Sequence, residues 1–208
     1  MEVVHIMNTA RSAVIEIRDG GRYFTKHPYR ILVNGREALT TEKTITSLFS
    51  LKPDAEQHVE VFDGEEKAGE VRFRTDYEYV TLDVRRFGAK GDGVSDDTHF
   101  IQAAILACPE NSRVLFPEGI YRITSLFLKS HTRMELAEGA ELRAFTQPEK
   151  FPVFPGTIES YDETEDYNLG SWEGNPLPVY TSIICGVGVE DVVIYGKGRI
   201  NGNASKEN

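Results

Sequence analysis

The chain has 208 residues, with 23 Lys and Arg against 33 Asp and Glu, which gives a formal net charge of -10 at pH 7. That length suits one large domain or two smaller ones, and the negative charge argues against a nucleic-acid partner. No apolar run is long enough to span a membrane. Residues 1–14 lack the basic and apolar regions of a signal peptide. We therefore expect a cytoplasmic protein, with a secreted or periplasmic location as the alternative.

Residues 1–78 have the pattern of a small antiparallel β domain. The stretch "YRILVNGREALTT" is typical of two strands joined by a turn at Asn34-Gly35. In "HVEVFDGEEKAGEVRFRT", Val59 and Val61 share one face, and Asp63-Gly64 begins the turn to the next strand. Several short strands with regular turn signals predict a β-sandwich.

The stretch "SLFSLKPDAEQHVEV" adds a family resemblance to that prediction. Leu51, Lys52 and Pro53, followed by alternating valines, resemble the E–F corner of fibronectin type III domains. Gln57 stands where a tyrosine is usual, so the tyrosine of that corner is missing here. The resemblance implies that residues 1–78 form a fibronectin type III-like β-sandwich.

From residue 79 onward the apolar stretches become very short. They are "RVLF", "YRI", "LFL", "MEL", "ELRA", "SIIC", "VVIY" and "GRI". Strands of an antiparallel sandwich are usually longer, near five or six residues. Short and closely repeated strands favour a parallel β-helix, in which each coil stacks on the one before it. The sequence thus predicts an all-β chain whose residues 79–208 form the coils of such a helix.

The first coil of a β-helix has an open end, and the stretch "FGAKGDGVSDDTHFIQAAILAC" is suited to cover it. Glycines permit a turn with positive φ, and Asp97 or Thr98 is a plausible N-cap for the helix that follows. We interpret Asp96 and Asp97 as structural rather than as a catalytic pair. A phosphate loop is disfavoured because "GAKGDG" lacks the Lys-Ser/Thr ending.

The same region resembles the start of the polygalacturonase family, glycoside hydrolase family 28. The matching segments are an F-G-A-x-G-D-G-x-x-D-D-T opening, an I-Q-x-A-I helix and three strand segments, at residues 87–98, 101–105, 114–121, 126–130 and 136–142. "GVEDVVIYGKGRINGN" resembles a later coil, with Asn201 and Ala204 in place of the usual Asp and Gly. The resemblance implies the N-terminal part of a pectin-type right-handed parallel β-helix with an N-terminal capping helix.

This resemblance implies an enzyme that hydrolyses polygalacturonate or its oligomers with inversion. The family's catalytic residues lie in N-T-D, D-D, G-H-G and R-I-K motifs of later coils. The one D-D of this chain is Asp96-Asp97, interpreted above as structural, and the other three motifs are absent, so no catalytic residue is assigned. We expect the chain to be the front part of a longer enzyme and to be inactive by itself. The alternatives are a non-catalytic carbohydrate-binding β-helix of the tail-spike or adhesin type, and a calcium-dependent pectate lyase.

Residues 148–180 form a long Pro- and Gly-rich connection, and such connections are often functional. "SWEGNPLPVYTSII" resembles an R-W-E-G loop beside the family's substrate groove, with Ser171 in place of the arginine. Trp172 and Glu173 are therefore the candidate substrate-binding residues. The indole either stacks on a sugar or packs the loop onto the wall of the helix.

The same connection is acidic, and the acidic residues outnumber the one lysine, Lys150. They are Glu149, Glu159, Asp162, Glu163, Glu165, Asp166 and Glu173. Negative charge repels a polyanionic substrate, so residues 159–166 face solvent or close one end of the groove. A closed end would favour release of units from chain ends, which predicts exo action.

The histidines and cysteines give no metal or cofactor motif. The five histidines are scattered and no pair has helical ligand spacing, so no metal and no cofactor is expected. Cys108 and Cys185 are interpreted as buried free thiols, and a disulfide stays possible in an exported protein. The oligomeric state is left undetermined.

Overall fold

The computed structural model describes residues 1–159, 161 and 166–204, and it has two compact units. The first is Met1–Tyr79 and the second begins at Val80. The sequence places the division one residue earlier, between residues 78 and 79. Each unit has a hydrophobic core of its own.

The first unit consists of antiparallel strands in two sheets. The strands are β1 (Glu2–Asn8), β2 (Ala13–Arg18), β3 (Phe24–Val33), β4 (Arg36–Lys43), β5 (Ile45–Leu48), β6 (Glu56–Asp63) and β7 (Glu66–Arg74). One sheet has the order β1-β2-β5 and the other has the order β4-β3-β6-β7. Ile15 and Ile17 of the first sheet, and Ile31, Val59 and Val61 of the second, are completely buried in one core. This arrangement confirms the predicted fibronectin type III-like sandwich.

The turn at Asn34-Gly35 joins β3 to β4 as the sequence predicts. Both residues have positive φ, 52° for Asn34 and 76° for Gly35. Positive φ at both central residues is the type I′ conformation, whose twist matches that of paired strands.

Gln57 makes the hydrogen bonds of the E–F-type corner, where the usual tyrosine is missing. Its buried side chain donates from Nε2 to the carbonyl oxygens of Lys52 and Ala55, at 3.2 and 3.3 Å. Its Oε1 accepts a hydrogen bond from Asn34 Nδ2 at 2.9 Å. The amide thus ties the Leu-Lys-Pro turn to the β3–β4 hairpin, because it is both a donor and an acceptor.

The second unit begins with strands, a 3-10 turn at Val84–Phe87 and one helix. Its wall strands are β8 (Thr81–Asp83), β9 (Asp92–Asp96), β10 (Arg113–Phe116), β11 (Gly119–Ile123), β12 (Leu126–Phe127), β13 (Arg133–Leu136) and β14 (Ala140–Ala144). Helix α1 spans Thr98–Ala107 and a second 3-10 turn spans Pro148–Lys150.

Short strands of the long connection follow, and then the next coil. The connection holds β15 (Val153–Phe154), β16 (Thr157–Ile158), β17 (Tyr167–Asn168), β18 (Ser171–Trp172), β19 (Asn175–Pro176) and β20 (Val179–Tyr180). The next coil holds β21 (Ile184–Cys185), β22 (Val193–Gly196) and β23 (Arg199–Asn201).

The wall strands pair in parallel, which confirms the predicted β-helix. The sheets run β8-β10-β13-β22, β9-β11-β14-β23 and β12-β21. In the first sheet Leu82, Val114, Met134 and Ile194 are successive register partners. Repeating one position in every coil aligns the inward residues in a column, so short strands bury a continuous core.

Helix α1 packs against the first coils. Ile101, Ala104 and Ile105 belong to the core of this unit. Gln102 binds the edge of β12 that faces away from β21: Nε2 donates to the Phe127 carbonyl at 2.8 Å, and Oε1 accepts from the Phe127 amide at 2.7 Å. The side chain thus occupies the place of a neighbouring strand. The expected role of α1 as a cap on the first coil stays a prediction.

Two further expectations concern the cysteines and membrane spans. Cys108 and Cys185 are both buried thiols. Among the described residues, no helix is both long and apolar enough to cross a membrane.

Candidate functional site

The acidic loop "GDGVSDD" is held together by its own carboxylates. Asp92 Oδ1 accepts hydrogen bonds from the amides of Val94 and Ser95, at 2.9 and 2.8 Å. The hydrogen bond from the Ser95 amide contributes most to lowering the pKa of Asp92, which falls to about 2. A carboxylate that accepts several donors is stabilised in its charged form, so Asp92 is a turn-forming anion rather than a proton donor.

Asp97 lies at the start of α1, but its side chain does not cap the helix. The buried carboxylate instead accepts from the amides of Lys90 and Gly91, at 2.7 and 3.0 Å. The amide of Thr98 is bound by Asp96 Oδ1 at 3.0 Å. Asp97 is thus the N-cap residue, as expected, but its carboxylate binds the two amides of the glycine turn instead of the amides of its own helix. Both aspartates have structural partners.

The described residues of the long connection form short antiparallel strand pairs. Within the described residues, β15 pairs with β20, β16 with β17 and β18 with β19. Its base is attached to the wall, where the Phe127 and Phe154 rings meet edge-on at 5.8 Å and the Thr181 amide donates to the Pro152 carbonyl at 2.9 Å. Much of the acidic run is not described, since residues 160 and 162–165 lie outside the described ranges.

Trp172 and Glu173 lie at the tip of the β18–β19 hairpin. Glu173 and Gly174 form its turn, with φ of 49° and 83°. The indole of Trp172 is 69% exposed, and Tyr167 and Tyr180 of the same connection are also exposed. An exposed ring on a tight hairpin offers a flat apolar surface at low entropic cost. The contact of Trp172 and Glu173 with a substrate stays a prediction.

A cluster around Glu141 on the outer wall was missed by the sequence analysis. The buried carboxylate accepts from Arg143 Nε at 2.6 Å, Asn201 Nδ2 at 2.9 Å and Arg199 Nε at 3.1 Å. The bond from Arg143 is the largest cause that lowers the pKa of Glu141 to about 2. The cluster could have been found from the register of β14 against β23. In that register Glu141 is the partner of Arg199, and Arg143 is the partner of Asn201.

A cavity of about 310 Å³ adjoins this cluster. Its lining is Gly139, Ala140, Glu141, Lys197, Gly198 and Arg199. The general acid of a glycosidase needs a raised pKa, so that it keeps its proton. Among the described carboxyl groups whose pKa is shifted, each shift is downward, at Asp19, Glu70, Asp92, Glu141 and Asp191. The Glu141 cluster is thus an ion-paired clamp between coils.

Parts of the chain are similar to known proteins. The model of the family described as "Rhamnogalacturonase A/epimerase, pectate lyase-like" matches residues 81–136. An exo-poly-alpha-D-galacturonosidase of Dickeya chrysanthemi is 31% identical over 131 residues, which are 60% of this chain and 20% of that protein. Plasmin and fibronectin-binding protein A of Streptococcus pneumoniae is 42% identical over 73 residues, 33% of this chain and 10% of that protein.

A solved structure shows the same fold. The family 28 exopolygalacturonase of Yersinia enterocolitica matches with a TM-score of 0.61 and 20% identity, over 97% of this chain and 40% of that chain. The chain spans about a fifth of the length of the Dickeya relative and a tenth of the Streptococcus protein. Joined to the parallel ladders, these findings identify the chain as a fibronectin type III-like sandwich followed by coils that resemble the N-terminal portion of the family 28 polygalacturonases.

Proposed function

We propose that this chain is the N-terminal part of a polygalacturonase that hydrolyses α-1,4-galacturonosyl bonds from chain ends. The observation that carries the proposal is the 31% identity to the exo-poly-alpha-D-galacturonosidase over 131 residues. The parallel ladders supply the scaffold, because a β-helix presents side chains at regular intervals along one wall. That regularity suits a polymer substrate.

The proposed chemistry is inverting hydrolysis. One carboxylic acid protonates the glycosidic oxygen while an opposite carboxylate activates water, with the two groups about 6.5–9.5 Å apart. The shifted carboxyl groups described here are held in the charged form, which suits anchors better than a proton donor. We therefore assign the acid and the base to coils beyond the described ones, and we expect the 208-residue chain to cleave nothing by itself.

The contribution of this chain to substrate binding is assigned to Trp172 and Glu173. The exposed indole stacks on a galacturonate ring, and the turn at Glu173 and Gly174 holds the ring in place. The sequence has one tryptophan, so its emission reports directly on this contact. Titration of the chain with oligogalacturonides should shift or quench that emission in a saturable manner.

The matched control for this contact is Tyr23, whose side chain is also 69% exposed but lies in the first unit. Trp172→Ala should weaken binding of oligogalacturonides measured calorimetrically by about three- to tenfold, the share of one aromatic stack. Tyr23→Ala should leave the affinity unchanged. Equal effects of both substitutions would contradict the assignment of Trp172.

Inactivity of the chain alone is tested with the same oligomers. Incubation should give no new reducing ends, while binding persists. New reducing ends would show that the catalytic groups are within these 208 residues.

The exo mode rests on the acidic residues of the long connection. Negative charge at one end of the groove repels an extended polyanion, so that the substrate enters by its end. Deletion of residues 159–166 from the longer enzyme should then change the products from monomers and dimers toward longer fragments. An unchanged product profile would contradict the exo assignment.

A second candidate function is binding without catalysis. It is favoured by the 42% identity to the plasmin and fibronectin-binding protein A over 73 residues. Retained oligogalacturonide binding by the longer protein, without any new reducing ends, would support this candidate. Unsaturated products that require calcium would instead indicate a pectate lyase.

A further inference from the structure

The outer face of the β6–β7 pair brings together three groups that can bind a metal. His58 and Glu60 are two residues apart on β6, so they share the face opposite the buried valines 59 and 61. Glu70 of β7 is the direct register partner of Glu60. Pairing of β6 with β7 brings Glu70 beside the two side chains of β6.

The ligand atoms of this cluster lie close enough to share one ion. One nitrogen of His58 and one oxygen from each of Glu60 and Glu70 lie within 4.8 Å of one another. The closest pair is His58 Nε2 and Glu70 Oε2, at 2.9 Å. The side chains of His58 and Glu60 are only 22% and 19% exposed. Side chains on paired strands are held more firmly than those on loops.

The electrostatics of the cluster demand a cation. Two carboxylates directly opposite each other on a sheet repel. Lys67 reduces that repulsion, with Nζ at 2.7 Å from Glu70 Oε2 and 3.4 Å from Glu60 Oε1. Its bond is the largest cause that lowers the pKa of Glu70 to about 2. Lys67 reaches the cluster by a flexible stem that is 45% exposed, so a stronger cation can displace it.

We propose that His58, Glu60 and Glu70 form a Zn²⁺ site in which the ion replaces the ammonium group of Lys67. Zinc takes imidazole nitrogen and carboxylate oxygen at about 2.0–2.2 Å, and a water completes the tetrahedron. Two carboxylates cancel its charge. Calcium and magnesium fit less well, because they prefer oxygen ligands throughout. This proposal departs from the sequence expectation of no metal, which considered spacing along the chain and not across strands.

The test uses the tag-free 208-residue chain and Co²⁺ as a spectroscopic substitute for Zn²⁺. Co²⁺ should produce the visible absorption of a tetrahedral site, and Zn²⁺ should remove it. His58→Ala should weaken binding by at least about tenfold. The matched control is His27→Ala, since His27 also lies beside a carboxylate, with Nδ1 3.4 Å from Asp63 Oδ1, and it should leave binding unchanged.

A further variant tests the displacement of Lys67. Lys67→Met removes the competing cation and should tighten Zn²⁺ binding several-fold, with circular dichroism confirming that each variant is folded. The absence of tetrahedral Co²⁺ absorption, or equal affinities in the His58 and His27 variants, would overturn the proposal. Weaker or unchanged binding by the Lys67 variant would also overturn it, because the ion would then bind elsewhere.

Discussion

Single residues decide how the turns and coils of this chain are joined. Gln57 replaces a corner tyrosine and yet binds the same turn through Lys52 and Ala55. The Asp97 carboxylate prefers the amides of Lys90 and Gly91 to those of its own helix. The sequence identifies such residues as structural, but their partners depend on which amides the tertiary fold brings nearest.

Glu141 allows a prediction at this scale. Its pKa of about 2 lies below its usual value of 4.5, so its bonds stabilise the fold fully above pH 4.5 and lose that contribution as the pH falls toward 2. Glu141→Gln should lower the free energy of unfolding at neutral pH and should make it less sensitive to pH between 4.5 and 2. Chemical denaturation across this pH range measures both effects.

The control for Glu141 is Glu138→Gln. Glu138 pairs with Lys197 at 3.3 Å, but its side chain is 81% exposed, and surface pairs contribute little. That variant should resemble the unmodified chain throughout the range. If Glu141→Gln kept the acid sensitivity of the unmodified chain, the clamp assigned to Glu141 would be wrong.

Among the elements, the wall strands were predictable and the long connection was not. Apolar stretches such as "RVLF" and "MEL" recur in successive coils, and they become β10 and β13, which pair in one parallel sheet. The strands of the connection are two residues long, for example Ser171–Trp172. Two residues show no periodicity, so their pairing cannot be inferred from the sequence alone.

Helix α1 gives a prediction at the scale of elements. Gln102→Ala removes both bonds to Phe127 and leaves that edge of β12 unpaired. The loss should destabilise the second unit by about 1–3 kcal/mol and should speed hydrogen exchange at the Phe127 amide. His99→Ala, an exposed position on the same helix, should alter neither quantity. Unchanged exchange at Phe127 in the Gln102 variant would contradict the role of this side chain as a substitute strand.

On the scale of the whole molecule, the two units were predictable as folds, whereas the substrate contact of the candidate site residues stays a prediction. The sandwich and the ladders follow from patterns of alternation and repetition. The zinc cluster and the Glu141 clamp arise from contacts between strands, which depend on register. Trp172 was found by its family motif, and its exposure agrees with a surface contact without testing it.

The apolar column of the second unit predicts self-association of the 208-residue chain. Ile194 and Ile200 are the register partners of the buried Met134 and Leu142, yet they are 36% and 42% exposed. Partly open apolar coils favour edge-to-edge contacts. Sedimentation should show concentration-dependent association that Ile200→Lys reduces, whereas Val94→Lys, at an exposed apolar position outside this coil, should not. A monomer at all concentrations would contradict this prediction.

The central claim, that these coils begin an inverting polygalacturonase, is tested most directly by proton NMR of polygalacturonate digested with the longer protein that contains this chain. The account predicts that short saturated products are released from chain ends and that their newly formed reducing ends are initially in the β configuration, inverted from the α-linked substrate. Products whose new ends retain the α configuration, unsaturated products, or an unchanged polymer would contradict it.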